Sequence, residues 1–413
     1  MALLIQKFGG SSVATLDHIR RVATGIARTK TMGNQVIVVV SAMSDETDRL
    51  LDLASEVMSL PPSREQDAIA ATGEQICASL MAITLESLGC PAKSFIGLQL
   101  PIITDQNHTR ARIIRVGTDV LRKTLNDGII PVIAGFQGIS EEGSITTLGR
   151  GGSDTTAVAI SATIEADCCE INTDVDGVYT ADPGICPRAR HIEKISYQEM
   201  LELAGLGAKV LHSRSVELAQ KYQVKLVVKS SFGGDKKTWI VNEEEIMENS
   251  IIKGVTLEKN VSKISLIRVP DRPGIAYHIL SPLADASINV DMIIQNASID
   301  GYADFTFTIP TTDLKKTEKL ISRVADEIGA LEMLADNNIV KVSAVGIGIK
   351  TNPGVAARMF QTLADENINI EMISTSEYRI SCVVESKYGE LAVRAVHNAF
   401  GLDEGQPDTS GES

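Results

Sequence analysis

An α/β fold is predicted: a largely parallel sheet flanked by helices over residues 1–245, followed by a smaller α/β unit present twice. Three observations predict it. Continuous apolar runs such as Gln35–Ser41 (QVIVVVS) and Gly128–Ala134 (GIIPVIA) read as strands buried on both faces, and Cys168–Thr173 (CCEINT) reads as a further strand. Helical stretches lie between such runs, so strand–loop–helix units recur, as a parallel sheet requires. Downstream, PGIAYHILSPLADASINVDMI (Pro273–Ile293) and PGVAARMFQTLADENINIEMI (Pro353–Ile373) align at an offset of 80, with ten identities in 21 positions. Similarity of that density marks a duplicated structural unit.

The elements follow in order. ALLIQKF reads as a strand, a Gly-Gly-Ser-Ser turn follows, and a helix begins near Leu16. After the Gln35–Ser41 strand, Asp67–Ser87 reads as a helix, Gly128–Ala134 (GIIPVIA) as a strand and Asp154–Ile164 as a helix. Residues 233–250 (GGDKKTWIVNEEEIMENS) turn polar and acidic, the composition of a domain boundary. Each repeat then reads as strand, Pro-Gly turn, amphipathic helix, an Ile-Asn step and a second strand, with a further strand at Asp304–Ile309 or Arg379–Val384. The expected domains are 1–245, 250–336 and 337–402, with a polar, disordered tail at 403–413.

Composition narrows the function. The net charge is −14 with no basic run, so no nucleic-acid partner is expected. No stretch of 18 uninterrupted apolar residues occurs and the N-terminus lacks a signal-peptide pattern, so a cytoplasmic protein without a membrane span is expected. The six cysteines form no CxxC pair and show no zinc-type spacing with histidine, so no protein-held metal is expected.

There is no P-loop and no dinucleotide fingerprint after a strand. Three other segments carry chemistry. In Lys7-Phe8-Gly9-Gly10-Ser11-Ser12, a lysine ends a strand and two glycines open a helix N-terminus, an arrangement that either binds an anion or merely reverses the chain. Thr147-Leu148-Gly149-Arg150-Gly151-Gly152-Ser153-Asp154 is a second glycine loop running into a helix; Ser153 or Asp154 suits an N-cap, which leaves Arg150 unexplained. Thr173-Asp174-Val175-Asp176-Gly177-Val178-Tyr179-Thr180-Ala181-Asp182-Pro183 is an acidic turn, and Lys209 interrupts an otherwise apolar segment.

Together these segments resemble the amino-acid kinase superfamily and, within it, the aspartate kinases. KFGGSSV, VVVSAMSDETD, ATGEQ, GFQG, TTLGRGGSDTTA, TDVDGVYTADP and AKVLHSRSVELA occur in the family's order over nearly the whole chain. The duplicated unit resembles that family's paired ACT domains. The resemblance implies a three-layer αβα kinase domain and two ferredoxin-like ACT domains. It also implies transfer of the ATP γ-phosphate to the side-chain carboxylate of L-aspartate, with Mg²⁺ accompanying ATP.

By the same resemblance, Lys7, Arg150 and Asp154 are catalytic, and Ser41, Thr47, Glu74, Arg150 and Asp154 hold aspartate. Lys7, Gly9, Gly10, Ser11, Thr173, Asp174, Tyr179, Asp182 and Lys209 bind ATP. These types suit the chemistry. An aspartate carboxylate, with an ordinary pKa near 3.9, is already ionised, so no general base is required. The problem is to bring an anion to a polyanionic phosphate, which positioning and charge neutralisation solve. His108 and His212 are accordingly read as structural or peripheral. Two positions depart from the family pattern: Gly184 follows Pro183 where an arginine is usual, leaving Arg188 or Arg190 to reach the phosphates, and Gln75 replaces an arginine.

In the repeats, the resemblance implies effector binding at the Pro-Gly turns and Asn-Ile steps. The residues are Asp271, Gly274, Ile275, Ala276, Asn289 and Gln295 in the first copy, and Asn352, Gly354, Val355, Ala356, Asn369, Ile370, Ser376 and Glu377 in the second. L-lysine, L-threonine or both are the expected effectors. A homo-oligomer assembled through ACT domains is expected, with a shorter regulatory subunit starting near Met247 as a further implication. The rival readings are a sister kinase acting on glutamate, acetylglutamate, carbamate or a nucleoside monophosphate, and a non-catalytic amino-acid sensor.

Overall fold

A computed structural model describes residues 1–207, 210–246, 251–296 and 300–403. The chain divides into two compact units: residues 1–179 with 191–249, and residues 180–190 with 250–413.

The first unit is built on an eight-stranded sheet. Its order is Lys194–Ser196, Lys237–Val241, Leu226–Ser230, Cys168–Thr173, Leu3–Phe8, Gln35–Val40, Ile130–Ala134 and Ala92–Phe95. Every pairing is parallel except that of Leu226–Ser230 with Lys237–Val241. The apolar runs earn their central places, since Ile5, Ile37, Val38, Val39, Val132 and Cys169 are essentially without solvent contact. Helices Leu16–Thr31 and Thr72–Ser87 pack their apolar stripes on one face, with Ile19, Val22, Ile26, Cys77, Met81 and Leu85 in a shared core. The stretch expected as one helix from Asp67 is two, Ser63–Ala70 and Thr72–Ser87. A second, four-stranded sheet joins Ile113–Val116, Ile102–Thr104, Gln137–Ser140 and Ile145–Thr147.

The second unit contains the two repeats as separate four-stranded sheets, each with two helices. One sheet orders Ile293–Gln295, Tyr302–Ile309, Ser262–Pro270 and Glu332–Asp336. The other orders Gly254–Glu258, Ile339–Val345, Arg379–Glu385 and Met372–Thr375. The expected start of the first repeat at residue 250 therefore differs from the pairing found. Gly254–Glu258 lies against Ile339–Val345 in the second sheet, and the first sheet begins at Ser262. The physical reason is that Ile339–Val345 is buried along its whole length and an open edge there would leave backbone groups unpaired.

Residues 180–190 also depart from the expected continuous domain of 1–245. Ala181 and Cys186 sit in the core of the second repeat, and Thr180 Oγ1 lies 2.8 Å from His397 Nε2. Met247 lies outside the described residues, as does nearly all of the expected tail (404–413).

The two repeats exchange charges at equivalent positions. Lys263 of the first pairs with Glu371 of the second, and Lys341 of the second pairs with Asp291 of the first. Lys341 is almost fully buried and also meets Glu258 at 2.6 Å. Replacing it by methionine leaves Glu258 without this cation and Asp291 with only the more distant Arg379, at 3.6 Å. Lys341→Met is expected to cost about 2 kcal/mol, less than a fully buried pair because both acids keep some water. Chemical denaturation of the full chain, followed by a probe in the second unit, measures this.

Candidate active site

Parallel strands bring their C-terminal ends to one edge of the sheet, and the loops that follow form the site. Lys7 lies near the end of Leu3–Phe8, Ser41 follows Gln35–Val40, Gly135 and Phe136 follow Ile130–Ala134, and Asp174 follows Cys168–Thr173. Backbone bonds tie these ends together: the Ser41 amide donates to the Phe8 carbonyl at 3.1 Å, and the Gly135 amide to the Val40 carbonyl at 2.9 Å.

Lys7 Nζ lies 2.6 Å from Asp154 Oδ1, with the two side chains only 11% and 10% exposed. Asp154 occupies the first turn of the helix Gly152–Ile164, where the helix dipole favours its negative charge. Glu74 stands in the first turn of Thr72–Ser87 and is buried. Its Oε1 accepts the Ala42 amide at 3.0 Å, while its Oε2 has no hydrogen-bond partner. Burial pushes the Glu74 carboxyl up to about 7, against the downward pull of the Ala42 amide and Lys7.

These groups face one cavity of about 250 Å³, lined by Lys7, Ser41, Thr47, Glu74, Phe136 and the loop 149–154. The structure thus brings together Lys7 and all of Ser41, Thr47, Glu74, Arg150 and Asp154. Arg150 is exposed and has no carboxylate partner among the described residues. The loop's shape depends on Gly151, whose φ is +71° and where a Cβ would fall 2.3 Å from the Cβ of His212. Burial lowers the pKa of that histidine.

Phe136 was not singled out from the sequence, although the GFQG segment containing it was. It holds a φ of +66°, unusual for a bulky residue, and packs so closely on Gly152 that a Cβ there would sit 2.7 Å from its ring.

The segments expected to hold ATP join into a continuous surface at the same edge. Gly9 donates to the Asn172 carbonyl at 3.3 Å, Ser231 Oγ donates to Ser12 Oγ at 2.6 Å, and the Ser231 amide donates to the Thr173 carbonyl at 2.8 Å. Gly10 and Ser11 open a short 3₁₀ turn, Gly10–Val13, whose first amides lack intrahelical partners. Thr173 Oγ1 donates to Asp174 at 2.9 Å, and Tyr179 OH donates to Asp176 at 2.8 Å. Lys236 donates to Tyr179 OH at 3.2 Å, a cation that sequence reasoning passed over because it lies in the stretch read as a domain boundary.

Other expected residues are placed elsewhere. Asp182 belongs to the segment that folds with the second unit, where its Oδ1 accepts the Gly184 amide at 2.8 Å. Arg190 donates to the Leu402 carbonyl at 2.7 Å, and Arg188 faces Asp403. Lys209 lies outside the described residues. Gln75, in the other departing position, donates to Gln137 at 3.2 Å.

In the repeats, Gly274 caps the helix Ile275–Asp285 with a φ of +91°, and Gly354 begins Gly354–Asp365. Ile275 and Val355 are buried, with Ala276 and Ala356 half-buried beside them. Asp271 and Asn289 are exposed, Gln295 ends the edge strand Ile293–Gln295, and Asn369 and Ile370 precede the edge strand Met372–Thr375. Asn352 donates its side-chain amide to the Gly348 carbonyl at 2.8 Å, Ser376 accepts the Tyr378 and Arg379 amides, and Glu377 pairs with Lys350 at 2.7 Å.

Comparison with known proteins agrees with this geometry. Residues 2–230 match the amino acid kinase family, and residues 264–329 and 342–400 each match an ACT domain. An aspartate kinase of Pseudomonas putida is 50% identical over 404 residues, 98% of each chain. The solved aspartate kinase of Synechocystis is 41% identical, with a TM-score of 0.54 over 97% of this chain and 70% of that one. That of Clostridium acetobutylicum is 25% identical, with a TM-score of 0.77 over 96% of this chain and 100% of that one. With a Lys7–Asp154 cavity at the sheet edge, two ACT repeats and relatives matched end to end, this chain belongs to the amino acid kinase family as one of its aspartate kinases, ATP-dependent phosphotransferases.

Proposed function

We propose that this enzyme transfers the γ-phosphoryl group of ATP to the β-carboxylate of L-aspartate, giving 4-phospho-L-aspartate for lysine, threonine and methionine synthesis. The observation that carries the reading is the Glu74 carboxyl, buried with one oxygen unpartnered, on the same small cavity as Lys7 and Arg150. A free carboxylate oxygen suits an α-ammonium, an unpaired arginine suits an α-carboxylate, and a lysine suits a side-chain carboxylate approaching phosphate.

In this reading Arg150, Ser41 and Thr47 orient aspartate, and Glu74 or Asp154 receives its ammonium. A carboxylate oxygen forms the new bond to Pγ while the bond from Pγ to the bridging oxygen breaks, its electron pair leaving on ADP. Lys7 neutralises charge on the transferring group, held in place by Asp154. Gly9, Gly10, Ser11, Thr173, Asp174, Tyr179 and Lys209 are the nucleotide side, with Lys236 added to them. Mg²⁺ would be carried on the phosphates of ATP, with Asp154 placed to act on it through water. When bound, it neutralises phosphate charge.

The ACT repeats bind lysine, threonine or both at the Pro-Gly turns and shift the enzyme towards an inactive state. A solved relative, from C. acetobutylicum, is described as an allosteric enzyme. Assembly as a homo-oligomer, a shorter subunit from Met247, and a cytoplasmic location complete the reading; six buried free cysteines suit a reducing compartment.

ATP turnover with L-aspartate, trapped by hydroxylamine as the hydroxamate, tests the reaction. Turnover with aspartate and not L-glutamate is expected, with a roughly 10³-fold loss in Lys7→Ala; glutamate turnover would instead identify a sister kinase. Glu74→Gln is expected to raise the KM for aspartate about 10- to 100-fold, the loss of a charged hydrogen bond. Its effect on stability has the opposite sign. The folded state keeps the Glu74 proton from its ordinary 4.5 up to about 7, so stability falls as pH rises through that window, by about 3 kcal/mol at most. The ligand-free variant should therefore melt higher than the parent at pH 8 and level with it at pH 4.5. Asn369→Ala and Ser376→Ala should weaken inhibition by lysine or threonine while leaving uninhibited turnover unchanged, and an enzyme insensitive to both amino acids would overturn the effector assignment.

A further inference from the structure

The loop that carries Arg150 is gripped from outside the cavity by a buried carboxylate. Asp67 lies in the helix Ser63–Ala70 and is 1% exposed. Its two oxygens accept four contacts. The Thr109 amide reaches both oxygens at 3.0 Å, Thr147 Oγ1 donates to Oδ1 at 2.5 Å, and His108 Nδ1 lies 2.7 Å from Oδ2. A fully buried carboxylate is retained only where such a network satisfies it.

What it holds is strained. Thr109 has a φ of +69°, a region that a β-branched residue avoids. Bonds from one amide to both carboxylate oxygens offset that strain. The strained residue then becomes the surface on which the substrate loop rests: a Cβ on Gly149, whose own φ is +77°, would sit 3.0 Å from the Thr109 carbonyl oxygen. Thr147, the second residue held by Asp67, ends the strand Ile145–Thr147 from which that loop emerges.

A second grip completes the frame. Arg214 donates to the Leu148 carbonyl at 2.6 Å and to the Ala111 carbonyl at 2.7 Å, while the Ala111 amide donates to the Thr147 carbonyl at 2.9 Å. Segments 109–111 and 147–149 are thus bolted together on both sides. Among the described residues Arg150 has no hydrogen-bond or ion-pair partner, so the backbone from which it springs must set its approach.

We propose that Asp67 is a positioning residue for aspartate binding, acting through Thr109 and Thr147 on the loop that presents Arg150. The inference rests on the reading that Arg150 grips aspartate. Asp67→Asn keeps the shape but removes the charge and one acceptor, so it loosens the clamp without emptying it.

Steady-state kinetics of the full-length enzyme in both substrates test this. Asp67→Asn should raise the KM for aspartate at least tenfold, with kcat and the KM for ATP within about threefold of the parent. Thr147→Val should move the same parameter in the same direction by less. Thr104→Val serves as the structural control. It breaks a buried hydroxyl pair, Thr104 Oγ1 to Thr146 Oγ1 at 2.6 Å, in the same small sheet without touching the clamp. It should lower the melting temperature and leave the KM for aspartate unchanged. An unchanged aspartate KM in Asp67→Asn, or an equal rise in Thr104→Val, would overturn the proposal. Failure of the underlying reading would look different, because Arg150→Ala would then leave the KM for aspartate at the parent value.

Discussion

Lys7 and Asp154 meet at 2.6 Å with little water around either, and the catalytic side of the molecule is organised by that contact. One partner comes from the end of a central strand and the other from the first turn of a helix that begins 145 residues later. Removing either would leave a charge stranded in a poorly solvated place. The pair therefore holds the helix N-terminus against the strand end, and with it the glycine loop and Arg150. It also keeps a cation on the wall of the cavity.

Glu74 shows how the same cavity is balanced before substrate arrives. A second fully ionised carboxylate beside Asp154 would compete for Lys7, and burial avoids this by favouring the protonated form of Glu74. In the proposed reading an incoming ammonium reverses that preference, so the group would respond to its own ligand. The unpartnered oxygen is thus a cost carried by the ligand-free fold, of the kind that binding sites retain and cores eliminate.

The ACT repeats are related by more than sequence. Lys263 and Lys341 occupy corresponding first strands, and their partners Glu371 and Asp291 lie at the 80-residue offset, so the two ion pairs exchange between repeats in a two-fold manner. Met292 and Met372, another pair at that offset, share one buried cluster with Val261, Ile339 and Val383. The segment Thr180–Arg190 is built into the second repeat through Ala181, Cys186 and the Thr180–His397 contact.

Much of this was legible in the residues. Period and composition announced the central strands, because a strand buried on both faces has to be apolar throughout. The repeat announced the ACT units, and the glycine loops announced the tight turn at the cavity, because a Cβ at Gly151 would meet His212. What the residues left open has a common cause: each missing fact is a contact between distant segments. Asp67 stands only at the start of an expected helix until Thr109 and Thr147 close over it, and Phe136 is one residue of GFQG until its ring meets Gly152. Lys236 reads as part of a linker until it reaches Tyr179. Gly254–Glu258 reads as the first strand of the nearer repeat, and only the unpaired edge of Ile339–Val345 draws it to the other. The sequence by itself determined the kinds of element, their order and the chemistry available. Tertiary structure alone decided which side chains lose their water and which remain unpartnered, because desolvation depends on neighbours that the linear chain does not specify.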